Sequence, residues 1–267
     1  MISPPIADGL NEKQRQSVTL SEDINALILA GAGSGKTRVL THRIRYLVSE
    51  KNHHTDDILA VTFTNKAANE MKERLTELLY QPIGRMWVGT FHSLAHRLIR
   101  THAIDANLSP TFQILDAQDQ YRIIKRLMKE NAIDESKFPI RKVQWFINQQ
   151  KDEGIKPQDI DVGYNFFVKQ SAKIFDLYER HCQANDLVDF AGLLVKSYEL
   201  LKDNQKLLEH YQNKFKHILV DEFQDTNRIQ YQFIKILHND SNHIFCVGDD
   251  DQSIYGWRGA RIENIQK

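Results

Sequence analysis

The chain is short of net charge, of cysteine and of long apolar runs, and each shortage excludes something. Its 35 Lys and Arg balance 35 Asp and Glu across 267 residues. No global field therefore marks out a polyanionic partner, and a groove for one has to be built locally. The two cysteines, Cys182 and Cys246, fall in a helical and an apolar strand pattern. Both read as reduced packing residues of a cytosolic protein. No apolar run reaches the roughly 18 residues of a membrane span, and no leader pattern opens the chain. A soluble, unexported protein is expected. Internal repeats and low-complexity tracts are missing as well. The length suits one large domain or two ordinary ones, enough for a sizeable core.

What is present is a rhythm. Short apolar runs of strand type recur at Leu27–Ala30, Ile58–Phe63, Met86–Val88, His217–Val220 and Ile244–Val247. Helical patterns such as Lys66–Leu79 lie between the early ones. That alternation implies a parallel sheet with crossover helices and ligands at the strand C-terminal ends. Between about Phe91 and Phe215 the strand signals nearly vanish. Helical repeats replace them at Tyr121–Met128, Val143–Ile147, Phe166–Tyr178 and Phe190–Leu208, punctuated at Pro110, Pro139, Gly154, Pro157 and Gly163. The fold expected is α/β, a parallel-sheet domain at about 1–89 and 213–267 interrupted by an all-helical insertion at about 90–212.

The run AGAGSGKT, Ala30 to Thr37, joins the first strand to the helical pattern TRVLTHRIRYLV. Gly31, Gly33 and Gly35 allow backbone angles closed to other residues and bring N–H groups, with those of Ala30, Ala32 and Ser34, near phosphate oxygens. The anion then sits at a helix N-terminus. Lys36 is spaced to reach β and γ phosphates, and the Thr37 hydroxyl to ligate Mg²⁺. The second half of such a site is ILVDEFQDTN, Ile218 to Asn227. Asp221 is placed for the metal and Glu222 for the attacking water, because a strand-end residue and its neighbour point differently. A third element, VGDDDQSIYGWRGA, carries Gln252, Tyr255, Trp257 and Arg258 after the last strand. Gln252 suits a γ-phosphate sensor. Trp257 between Gly256 and Arg258 suits base stacking beside a cation.

With LNEKQRQSV (Leu10–Val18), VTFTNKAANEMKERL (Val61–Leu75) and VGTFHSLAHRLIR (Val88–Arg100), these runs resemble superfamily 1 helicases of the UvrD/Rep/PcrA group, in order and spacing. QKDEG (Gln150–Gly154) and LVDFAGLL (Leu187–Leu194) lean toward its UvrD side. The resemblance covers essentially the whole chain. It implies a RecA-like P-loop NTPase core with ATP and Mg²⁺ as cofactors. Gln14 would read the adenine edge and Arg38 lie against the adenine face. Thr62, Phe63, Asn65, His92, Tyr255, Trp257 and Arg258 would line a single-stranded DNA path, with Gln252 coupling it to the γ-phosphate. The whole enzyme would be an ATP-dependent 3′-5′ helicase of DNA repair. It would work in the bacterial cytoplasm on single strands and single–double strand junctions beside other repair proteins.

The group continues into a second RecA-like domain with an adenine-stacking Tyr and arginines reaching the γ-phosphate. This chain stops at Lys267 before any such segment, so an N-terminal piece of a longer enzyme is expected. Two other readings stay open here. One is an ATP- and DNA-binding module without efficient turnover; the other is the motor of a helicase–nuclease of RecB or AddA type.

Overall fold

The computed structural model describes residues 9–249. Two compact units divide the chain. The first takes the residues up to Leu94, then Asn204–Asn227 and those from Ile234 onward; the second takes Ala95–Asp203 and Arg228–Phe233. The boundaries read from sequence, 89/90 and 212/213, fall five residues before the first of these and nine after the second, and 228–233 go with the second unit.

The first unit is built on five parallel strands: β1 (Ala26–Leu29), β2 (Ile58–Thr62), β3 (Trp87–Thr90), β6 (His217–Val220) and β7 (His243–Gly248). Their spatial order is β1-β7-β6-β2-β3. The middle strands read ILAVT and HILV and are buried at every position. A parallel strand covered on both faces needs a continuous apolar run rather than an alternating one. Helices α2 (Lys36–Ser49) and α3 (Asn65–Leu79) supply Leu40, Ile44, Met71 and Leu75, all fully buried in one cluster with Ile58, Ala60 and Leu219 of the sheet. Each such side chain contributes about 1.5–3 kcal/mol by leaving water. Truncating Leu75 to Ala would therefore cost roughly 2–5 kcal/mol. Thr64 starts α3 by accepting the Ala67 N–H at 3.1 Å. Helix α4 (Phe91–Thr101) follows β3 directly, and Thr90 Oγ1 accepts the Ser93 N–H at 3.2 Å. Both turns follow the C-terminal end of a strand.

The second unit packs α5 (Ala117–Glu130), α6 (Ile140–Asp152) and α7 (Phe166–Ala184) around Ile124, Val143, Ile147, Ile174 and Tyr178. It corrects the all-helical expectation. Gln113–Leu115 (β4) and Leu187–Asp189 (β5) pair in parallel as a two-stranded sheet. Three-residue strands are too short to show a period. The periodic stretch Phe190–Leu208 is also two helices, α8 (Phe190–Asp203) and α9 (Gln205–Lys214). Asn204 separates them, its side chain accepting the Leu207 N–H at 3.1 Å.

The runs QKDEG and LVDFAGLL meet inside this unit. Lys151 Nζ lies 2.7 Å from Asp189 Oδ2 and 2.6 Å from Glu179 Oε1. The same Asp189 oxygen accepts from Tyr178 Oη at 2.7 Å and Gln120 Nε2 at 3.0 Å, and Oδ1 accepts the Gly192 N–H at 2.7 Å. A buried carboxylate is tolerable only when so many donors face it. Burial pushes Asp189 up, but the Lys151 charge and these hydrogen bonds outweigh it and hold the carboxyl below its ordinary value. Cys182 nearby is buried and free, and burial pushes its thiol up to about 12. Cys246 is likewise buried and free, its thiol raised by burial. Both are packing residues.

Candidate nucleotide site

β1 ends at Leu29 and α2 begins at Lys36, so residues 30–35 form the connection that the Gly-rich run predicts. Gly33 and Gly35 take φ of +74° and +84°, and Gly35 is the N-cap of α2 with no side chain capping it. The first-turn amides of α2 therefore face the loop as donors for an anion. Gly31 departs from expectation. It is not among the positive-φ glycines, so its value is room: a Cβ there would meet nothing within 4 Å. Ala32 and Ser34 are exposed beside it.

Lys36 is buried, and its Nζ donates to the carbonyls of Ala30 at 3.0 Å and Gly31 at 3.3 Å. It also pairs with Asp249 Oδ2 at 3.2 Å, both side chains being almost fully buried. The Thr37 hydroxyl donates to Asp221 Oδ2 at 3.0 Å across 184 residues of sequence. β6 ends at Val220, and the Asp221 N–H donates to the Val61 carbonyl at 2.9 Å, so the sheet itself delivers the acid. Burial first, and then the Glu222 charge, push the Asp221 carboxyl up to about 6.

Glu222 occupies the left-handed region at φ +48°, ψ +47°. A non-glycine residue held there costs roughly 1–3 kcal/mol and persists where its surroundings over-determine it. Its carboxylate is held by Gln224, whose Nε2 donates to Glu222 Oε2 at 2.7 Å. Gln224 Oε1 in turn accepts the Asp249 N–H at 2.9 Å. A chain of contacts thus runs from Lys36 through Asp249 and Gln224 to Glu222. Sequence reasoning missed Gln224 and Asp249. Their signal was position, two residues past the acidic pair and directly after β7.

Gln14 sits in the short helix α1 (Glu12–Val18), where it and Asn11 cap each other reciprocally. Its Nε2 donates to the Ser34 carbonyl at 2.8 Å, pinning the helix to the loop. Arg38 is exposed in the first turn of α2, close enough to Gly9 that a Cβ there would lie 2.2 Å from its guanidinium.

Of the residues expected on a DNA path, Thr62 closes β2 and is buried, and Phe63 stacks edge-on against Phe91 with centroids 5.5 Å apart. Asn65 is exposed at the first position of α3, and His92 is half-buried, its pKa lowered by burial. Thr62 ends β2, and the other three follow the C-terminal ends of β2 and β3. Gln252, Tyr255, Trp257 and Arg258 lie outside the described residues.

The pattern of the family described as UvrD/REP helicase N-terminal domain matches residues 10–267. The chain belongs to that family. It is 52% identical to DNA helicase II of Escherichia coli strain K12 over 262 residues and 53% identical to DNA helicase II of Haemophilus influenzae over 267. It is 43% identical to the ATP-dependent DNA helicase PcrA of Staphylococcus epidermidis over 261 residues. These alignments cover 97–98% of this chain and 36% of each relative. This UvrD/REP domain therefore spans about a third of the length of the curated relatives it matches. Among the described residues, no helix is long and apolar enough to cross a membrane.

Proposed function

We propose that this chain is the N-terminal portion of an ATP-dependent 3′-5′ DNA helicase of UvrD type, a bacterial cytoplasmic enzyme. It would move along single-stranded DNA and open duplex at single–double strand junctions in DNA repair, beside other repair proteins. In this reading the sheet unit is the ATP-binding core and the other unit its insertion. The observation that carries the proposal is the Thr37–Asp221 hydrogen bond beside the phosphate loop. It gathers a hydroxyl and a carboxylate, the oxygen donors that suit Mg²⁺. Bound there, the ion would neutralise charge on the β and γ phosphates.

The chain's own residues do the rest. The amides of Gly31 to Thr37 hold the phosphate oxygens, and Lys36 exchanges its contacts with Asp249 and the loop carbonyls for the β and γ phosphates. Glu222 takes the proton of the attacking water. Gln224 fixes that carboxylate and ties it to Asp249. Gln252 senses the γ-phosphate, and Gln14 and Arg38 hold the adenine. Thr62, Phe63, Asn65 and His92, with Tyr255, Trp257 and Arg258, contact the unpaired strand. Stacking on Trp257 tolerates any base, as a translocating motor requires.

For the chain by itself, binding with slow turnover is the second reading. It rests on the Lys36–Asp249 pair, which an arriving nucleotide has to break. The test is steady-state ATPase with and without single-stranded DNA, on this chain and on the full-length enzyme. The full-length enzyme should be stimulated by DNA, and Glu222→Gln should keep ATP binding while losing about 10²–10⁴ in turnover. Near-normal turnover in Glu222→Gln would put the base elsewhere.

A further inference from the structure

His217 is the first residue of β6, at the opposite end of that strand from Asp221. Its Nε2 lies 3.1 Å from His53 Nε2, and His53 Nε2 lies 3.0 Å from Glu22 Oε2. His53 belongs to the connection between α2 and β2, and Glu22 to the segment between α1 and β1. Three separate stretches of the first unit thus bring one ligand atom each to a common point, all within 4.8 Å of one another.

Hydrogen bonding serves this arrangement poorly. If His53 carries a proton on Nε2 and donates it to Glu22, it has no lone pair left for His217. If that nitrogen is bare and accepts from His217, its lone pair faces the carboxylate. One proton shared between both neighbours at about 3 Å makes a three-centre contact, bent and weaker toward each. A metal ion serves all three lone pairs together. Ligands held about 2.0–2.1 Å from a tetrahedral centre lie about 3.3 Å apart, close to the 3.1 and 3.0 Å that His53 keeps from His217 and Glu22.

We infer that Glu22, His53 and His217 form a binding site for a borderline divalent transition-metal ion, with Zn²⁺ as the reference case. Two imidazoles and one carboxylate suit Zn²⁺, Ni²⁺ or Co²⁺ and not the harder Mg²⁺ of the nucleotide site. The donors are held in place by backbone contacts. The His53 N–H donates to the Leu47 carbonyl at 3.0 Å, and the Lys216 N–H to the Asp57 carbonyl at 2.8 Å. Arg43 donates to the carbonyls of Val18 at 2.9 Å and Ser21 at 2.8 Å, fixing the segment that carries Glu22.

The positive charges of Arg43 and of Lys51, whose Nζ is 3.8 Å from Glu22 Oε1, make the ion exchangeable rather than permanent. His53 and Glu22 keep 24% and 28% of their side-chain surface exposed, which gives the ion an entry path and leaves a fourth position to solvent. Bound there, the ion ties three segments at the base of the strand that delivers Asp221.

The test uses the untagged full chain stripped of metal, titrated with Co²⁺ in excess Mg²⁺ to keep the phosphate-loop oxygens out of competition. One Co²⁺ per chain should bind with the strong visible absorption of a four-coordinate ion, and Zn²⁺ should displace it. His53→Ala and Glu22→Gln, both on partly exposed side chains, should each weaken binding at least tenfold and abolish any rise in Tm with Zn²⁺. Failure of wild type to bind Co²⁺ saturably would overturn the proposal. So would undiminished binding in both variants, which would place the ion elsewhere. Nucleotide affinity is not read in any arm, so the outcome is independent of the helicase reading.

Discussion

Replacing Lys151 by Met removes one half of a buried ion pair and leaves the other half in place. The two side chains are 5% and 4% exposed and 2.7 Å apart. Removing one partner of such a pair typically costs 3–5 kcal/mol. Tyr178, Gln120 and the Gly192 N–H still donate to Asp189, which argues for the lower end, about 3 kcal/mol. At roughly 2–4 °C per kcal/mol for a chain of this size, Tm should fall by about 10 °C near neutral pH. The loss also has a pH signature. In the wild type, Asp189 is held below its ordinary value. Its contribution to stability is present above the unfolded pKa of about 3.9 and is lost as pH falls through the lower folded value. Without Lys151, burial dominates and the folded pKa moves above about 3.9, so stability declines as pH rises through that window. The deficit of Lys151→Met should therefore be larger at pH 8 than at pH 5. Thermal unfolding followed by circular dichroism at both values is the assay. A fall in Tm under 2 °C, or a deficit independent of pH, would refute the reasoning.

Asp221→Asn should stabilise the metal-free chain, because Asp221 is raised to about 6 and its ionised form is disfavoured in the fold. The gain should be roughly 2 kcal/mol at pH 7.5 and should fade as pH falls through 6 toward 4; a variant less stable than wild type at pH 7.5 would contradict it. Gly35→Ala puts a side chain at φ +84° with its Cβ 2.8 Å from Gln14 Nε2. It should cost about 1–2 kcal/mol from the left-handed backbone alone and weaken ATP binding. Denaturant unfolding and nucleotide titration check the two effects.

The five main strands were legible to within a few residues because their runs are continuous and buried on both faces, as in β2 and β6. The phosphate loop was legible because its residues are neighbours in sequence. The contacts that were missed depend on residues far apart. Asp249 reaches Lys36 across 213 residues, and only its place directly after β7 sets it apart from the acids that follow. β4 and β5 were missed because three residues carry no period and β5 runs straight into α8. The break at Asn204 is hidden in sequence because an N-cap can divide two helices without interrupting their apolar rhythm. Gly31 serves by its small size and not by a positive φ, since spacing shows that a glycine is present and not which angle it takes.

The central claim is that residues 30–37 hold the phosphates of ATP, with Lys36 supplying the charge. Isothermal calorimetry of Mg-ATP on wild type and on Lys36→Ala tests it most directly. The account predicts measurable 1:1 binding to wild type and none to Lys36→Ala, with the variant still folded by circular dichroism. Equal affinity in the two proteins would contradict it.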